Sequence, residues 1–127
     1  MTEFTVHMAN RPGQLAALAD KLAAAGVHIE ALAAFSQGDD STVRLMASDV
    51  AEARRVLAEA GVQFEEQRVI ETVIKDEPHA LAAMTRKLAD SGVNIEAMYL
   101  LHANGDSLHF ALAVDDHSIA APYLSGR

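Results

Sequence analysis

Residues 12–32 return, about 66 positions later, as residues 78–98. Pro12, Leu15, Lys21, Leu22, Gly26, Val27, Ile29, Glu30 and Ala31 recur as Pro78, Leu81, Lys87, Leu88, Gly92, Val93, Ile95, Glu96 and Ala97. About 12 of the 21 aligned pairs are identical, and where a leucine changes, at Leu18 and Leu32, the second copy carries another apolar residue, Met84 and Met98. A repeat of this length constrains the fold more than any other feature, because both copies must form the same small unit. The 127 residues therefore read as two units, 1–68 and 69–127, each near the lower size limit for a self-sufficient core.

Within the first unit the hydrophobic period changes in a fixed order. Phe4, Val6 and Met8 alternate with polar positions, as in a half-buried strand. Leu15, Leu18 and Leu22 then share one helical face, as do Leu81, Met84 and Leu88 in the second copy. Gly26 and Gly92 follow, where a helix C-terminus favours glycine. Val27, Ile29 and Ala31 return to period two, and a turn at Gly38-Asp39 leads to a third strand beginning near Val43. Asp49 caps a second helix, which Gly61 ends, and Val62 to Val69 reads as a fourth strand. The order βαββαβ predicts an α+β fold of two ferredoxin-like units in tandem, with antiparallel sheets and helices on one face.

From Gln63 to Lys75 no Gly or Pro interrupts the strand-like sequence joining the units. After Val114 only a short segment containing Pro122 remains, so the second unit is expected to lack its last strand. That leaves a sheet edge expected to be covered by another chain, in a homodimer, or by a swapped strand.

The net charge of −8 opposes any polyanionic partner, so neither nucleic acid nor an anionic membrane surface is expected. No apolar run approaches the length of a membrane span, and the absence of cysteine removes disulfides, thiol nucleophiles and Cys-based metal sites. The expectation is a cytoplasmic protein without a cofactor.

Asn10, Arg11, Pro12 and Gly13 carry the first strand into the first helix. Pro12 suits a first helical turn, and Asn10 could cap it with its side-chain oxygen. Gly13, without a side chain, would let an anion approach the free backbone N–H groups at the helix start. Taken alone, the same residues also describe a plain turn.

Asn10-Arg11-Pro12-Gly13-Gln14-Leu15, an Ala/Leu-rich helix, and Gly92-Val93-Asn94-Ile95 together resemble the ACT domain, the amino-acid-sensing module of enzymes such as phosphoglycerate dehydrogenase. The likeness spans residues 3 to about 114, in two copies, and is similar to stand-alone tandem ACT proteins. It implies a regulatory, non-catalytic protein that binds a free amino acid at a seam between ACT units. The ligand would be held by Asn10, Arg11, Pro12, Gly13, Gln14 and Leu15 with Asn94 and Ile95. Unit one has His28 where the strand asparagine would stand, and the second loop is Asp76-Glu77-Pro78-His79, whose carboxylates would repel a ligand carboxylate. One competent site per chain is therefore expected, with an unidentified enzyme or regulator as a possible partner. The alternative is a protein interaction module that holds no ligand.

Six histidines, at positions 7, 28, 79, 102, 109 and 117, raise the question of a metal. His102 and His109 flank one hairpin closely enough to converge, but no helical His-x-x-x-His or Glu-x-x-His spacing exists, so no metal is assigned. Glu30 and Glu96 have no second carboxylate at a defined spacing, and no catalytic residue is expected.

Overall fold

A computed structural model of the protein describes residues 1–124. The chain divides into two compact units, Thr2–Gln67 and Arg68–Arg127 with Met1.

The first unit runs β1 (Thr2–Ala9), α1 (Gln14–Ala24), β2 (Ile29–Gln37), β3 (Asp40–Ala47), α2 (Val50–Glu59) and β4 (Gln63–Arg68). Its sheet has the order β2-β3-β1-β4, the ferredoxin-like arrangement expected from the sequence. β3 lies antiparallel to β1, with Val6 opposite Val43 and Phe4 opposite Leu45. These inward residues join Leu18 and Leu22 of α1 and Ala53, Val56 and Leu57 of α2 in one core, so both helices cover the same sheet face. Phe64 of β4 closes this core at the rim, its ring 6.0 Å from that of Phe4 and tilted by 60°. Burying a side chain such as Leu22 or Leu57 contributes about 1.5–3 kcal/mol.

The opposite sheet face of this unit holds a polar knot. Glu3 is fully buried. Its Oε1 accepts from Nη1 of Arg44 at 2.7 Å and from the side-chain amide of Gln67. A buried carboxylate is tolerated only when paired and hydrogen-bonded in this way.

The second unit runs β5 (Ile70–Lys75), α3 (Pro78–Asp90), β6 (Ile95–Asn104), β7 (Ser107–Val114) and a short α4 (His117–Ala120), followed by a 3-10 turn at Ala121–Tyr123 that contains Pro122. Among the described residues its sheet has three strands, ordered β5-β7-β6. The missing position is that of β4. Thr72 and Val73, on the edge strand β5, are not without partners. Met84 and Leu88 pack with Leu112 and Val114, and Ala120 and Leu124 complete the core. α4 thus follows β7 as α2 follows β3, and both helices begin at an aspartate. Asp49 accepts from the Glu52 N–H at 3.0 Å, and Asp116 from the Ile119 N–H at 3.1 Å.

Both long helices end alike. Val27 N–H reaches Leu22 O and Gly26 N–H reaches Ala23 O, each at 2.9 Å, and the same bonds recur from Val93 to Leu88 and from Gly92 to Ala89. This Schellman closure requires the positive φ of Gly26 and Gly92, 73° and 82°. The strand-like run from Gln63 to Lys75 is interrupted at Val69, whose N–H donates to the Met1 carbonyl at 2.9 Å.

Candidate functional site: the first helix-entry loop

The two helix-entry loops begin identically and then part. Asn10 N–H donates to Asp39 O at 2.8 Å and Arg11 N–H folds back onto Ala9 O at 3.1 Å; in the second unit Asp76 N–H donates to Asp106 O at 2.7 Å and Glu77 N–H to Lys75 O at 2.9 Å. In unit two the helix starts at once, with Pro78 as its first residue and Glu77 at the N-cap. In unit one the start is deferred by two residues, to Gln14, with Gly13 at the N-cap. Gly13 has φ +87°, a left-handed conformation that histidine, its counterpart at position 79, adopts only at a cost.

Two local expectations are corrected by this geometry. Pro12 lies before the helix rather than in its first turn, because the left-handed Gly13 delays helical backbone until Gln14. Asn10 does not cap α1, and no side chain does. Its Nδ2 instead donates to the Gly38 carbonyl of the β2–β3 turn at 3.0 Å. The helix start is too far along the chain for Asn10, while the turn lies beside it.

The deferred start opens a cleft of about 240 Å³ lined by Asn10, Arg11, Gln14, Leu15, Phe35 and Ser41 among others. Leu15 was expected in the apolar stripe facing the core, yet it is 39% exposed, and Phe35 on β2 is 55% exposed. Both contribute an apolar wall to the cleft instead. The first intrahelical bond runs from Ala17 N–H to Gly13 O at 2.9 Å, and Gln14 N–H turns back to Arg11 O at 3.3 Å. The N–H groups of Leu15 and Ala16 have no helical carbonyl before them, and with the helix dipole they favour an anion. No acidic residue occupies the first turn of α1.

Of the residues expected to bind, Asn10, Arg11, Gln14 and Leu15 line this one cleft, and Pro12 and Gly13 shape its loop. Asn94 and Ile95 belong to the second unit. Asn94 is exposed and fixed through its backbone, its N–H donating to Asp115 Oδ1 at 2.9 Å while its carbonyl accepts from the Asp115 N–H at 3.1 Å. Ile95 opens β6 and packs against the second core.

A family profile described as an ACT domain pair matches residues 1–118. The chain belongs to the ACT domain pair family. ACT domains are regulatory, ligand-binding modules, and the two βαββαβ-like units described above are this family's repeat. Among solved structures, the protein BT0572 from Bacteroides thetaiotaomicron is similar over 96% of this chain and 84% of its own, at 22% identity and a TM-score of 0.87. The ligand-free regulatory subunit of aspartate kinase from Thermus thermophilus is similar over 97% of this chain and 87% of its own, at 18% identity and a TM-score of 0.70. The corresponding subunit from Thermus flavus covers 96% of this chain and 86% of its own, at 19% identity and a TM-score of 0.66. At these identities the likeness concerns the fold alone. No curated protein matches the ACT pair described here. No helix among the described residues is long and apolar enough to cross a membrane.

One grouping of ligand-type side chains has no helical spacing. Glu71, His102 and His109 offer ligand atoms within 4.8 Å of one another. They come from three different strands, so no single sequence window contains them. The placement of both histidines about the Gly105-Asp106 turn was the only hint in the sequence.

Proposed function

We propose that this ACT domain pair is a non-catalytic sensor of a free amino acid, bound at the first-loop cleft of unit one. The observation that carries this reading is the loop itself: a glycine-deferred helix start, free of acidic residues, beside an asparagine locked to the neighbouring turn. The α-carboxylate would lie against the first N–H groups of α1, where backbone donors and dipole act together. The Asn10 Oδ1, left as an acceptor once Nδ2 is bonded to Gly38, would receive the α-ammonium. Leu15 and Phe35 would meet the ligand's side chain. Asn94, the asparagine of Gly-Val-Asn-Ile, is assigned to complete the site at a seam of ACT units. The equivalent position built on Asp76 and His28 stays without ligand, because Asp76 and Glu77 would face the carboxylate with like charge.

Binding would regulate by favouring one state of association, in a homodimer or with an enzyme or regulator of the cytoplasm. It can do so only to the extent that the ligand prefers that state. A second reading, an interaction module without ligand, draws on the exposed Leu32 and Phe35 of edge strand β2. A melting screen against the twenty amino acids separates the two. A ligand at a hundred times its Kd adds about 2.7 kcal/mol, several degrees for a chain of this size. No shift with any amino acid would favour the interaction module.

A further inference from the structure

The two units part company in their second hairpin by one residue. Glu30 and Glu96 stand 66 positions apart, but Gly38 and Gly105 stand 67 apart, so the second copy carries one extra residue between them. β2 and β6 share an irregularity at Glu30 and Glu96, between Ile29 and Ala31 and between Ile95 and Ala97. β6 alone has a second one, at Leu101: Leu100 pairs with Phe110, and the next pair is His102 with His109.

That bulge decides which way His102 faces. Without it Leu101 would oppose His109, and His102 would oppose Leu108, on the face where Phe110 and Leu112 meet α3. With it, His102 stands on the other face, directly across from His109. The two imidazoles lie 4.1 Å apart with their planes 22° from parallel. On the far side of β7, Glu71 of β5 pairs with Ala111 and so shares the face of His109. Its Oε2 lies 3.0 Å from Nδ1 of His109. An ion pair between Glu71 and His109 would need no third group, whereas the bulge supplies one.

We propose that Glu71, His102 and His109 form a binding site for a divalent transition-metal ion of the zinc class. Two imidazoles and one carboxylate suit Zn²⁺, Co²⁺ or Ni²⁺, whereas Mg²⁺ and Ca²⁺ prefer all-oxygen shells. Bonds of about 2.0–2.1 Å in a tetrahedral shell put neighbouring ligand atoms about 3.4 Å apart. The Glu71 and His109 atoms are already at that scale, and the exposed His102 closes the shell by rotating about its side-chain torsions. Both Glu71 and His109 are largely covered, with side chains 26% and 20% exposed, which limits competition from water. Three protein ligands leave a coordination position open for water or a small donor. The ion would tie all three strands of this sheet together, so its binding energy adds to the stability of the second unit. None of the three residues takes part in the amino-acid site proposed above.

The test uses the full chain, stripped with EDTA and titrated with Co²⁺ or Zn²⁺ alone. Cobalt is followed by its visible ligand-field absorption, zinc by calorimetry and by the melting temperature. One ion per chain is expected, with a melting temperature that rises with free metal. His102→Gln, His109→Gln and Glu71→Gln should each weaken binding at least tenfold, a loss of about 10–100-fold being what removal of a merely supporting outer group causes. His28→Gln and His79→Gln should leave it unchanged. His102 is exposed, so His102→Gln retains the metal-free melting temperature even if the other two variants lose stability. Absence of saturable binding, or binding that survives His102→Gln, overturns the site.

Discussion

The side-chain amide of Asn10 donates a 3.0 Å hydrogen bond to the carbonyl of Gly38, tying the entry loop of α1 to the β2–β3 turn. An exposed bond of this kind contributes about 1 kcal/mol. Asn10→Ala should therefore lower the melting temperature by only a few degrees and leave the circular dichroism spectrum unchanged, while removing stabilisation by amino acids altogether. Retained ligand stabilisation in that variant would show that the amide does not contact the ligand.

Gly13 and His79 occupy equivalent places with opposite backbone demands. A Cβ on Gly13 meets nothing within 4 Å, so Gly13→Ala is penalised by its φ of +87° alone. The expected cost is about 1–2 kcal/mol, read from urea unfolding. His79→Gly, in the first turn of α3, removes no strain and should cost only about 0.3 kcal/mol through helix propensity.

Arg44 is the charged partner of a fully buried Glu3. Arg44→Met should cost about 2–3 kcal/mol, somewhat under the loss for a fully enclosed pair because the guanidinium side chain is 20% exposed. Adding Glu3→Gln should recover part of that loss, since the buried charge left without its guanidinium disappears. A double-mutant cycle on denaturant unfolding measures the coupling.

Three carboxylates, Glu52, Glu66 and Asp116, are held below their ordinary range and give the protein an acid limb, Glu52 through the hydrogen bond it accepts from Arg55. The Arg54 side-chain fork, with Nε–Oε2 and Nη2–Oε1 distances of 2.5 and 2.8 Å, holds Glu66 below the ordinary glutamate range. The Ser118 hydroxyl, and then the Ile119 N–H, do the same for Asp116. All three pKa values are lower in the folded state, so their stabilisation is complete above the unfolded pKa near 4 and fades as pH drops through the lower folded values. Glu66→Gln should flatten the fall in melting temperature below about pH 4. Salt should shrink the difference, because these groups are exposed to solvent.

Much of this architecture was legible in the sequence because it is encoded locally. The Leu22-Gly26-Val27 and Leu88-Gly92-Val93 closures, the aspartate caps and the alternation of Phe4, Val6 and Met8 each lie within a few residues. The departures arise where one residue's effect depends on partners far along the chain. Leu15 fits the apolar stripe by spacing, but it sits at the exposed first turn of its helix, as Leu81 does in the second unit, and lines the cleft instead. Asn10 is a good cap by type, yet the Gly38 carbonyl is the nearer partner. The bulge at Leu101 is a matter of strand register, which single-strand periodicity does not report, and so Glu71 could not be joined to the two histidines from spacing alone.

The proposed sensor holds one amino acid per chain, at the Asn10 loop. The most direct measurement of this is calorimetric titration of the amino acid that most raises the melting temperature into the wild-type chain, Asn10→Ala, Asn94→Ala and Asp76→Ala. One equivalent per chain is predicted, lost with either asparagine and kept with Asp76→Ala. Two equivalents per chain, or loss of binding in Asp76→Ala equal to that in Asn10→Ala, would contradict it.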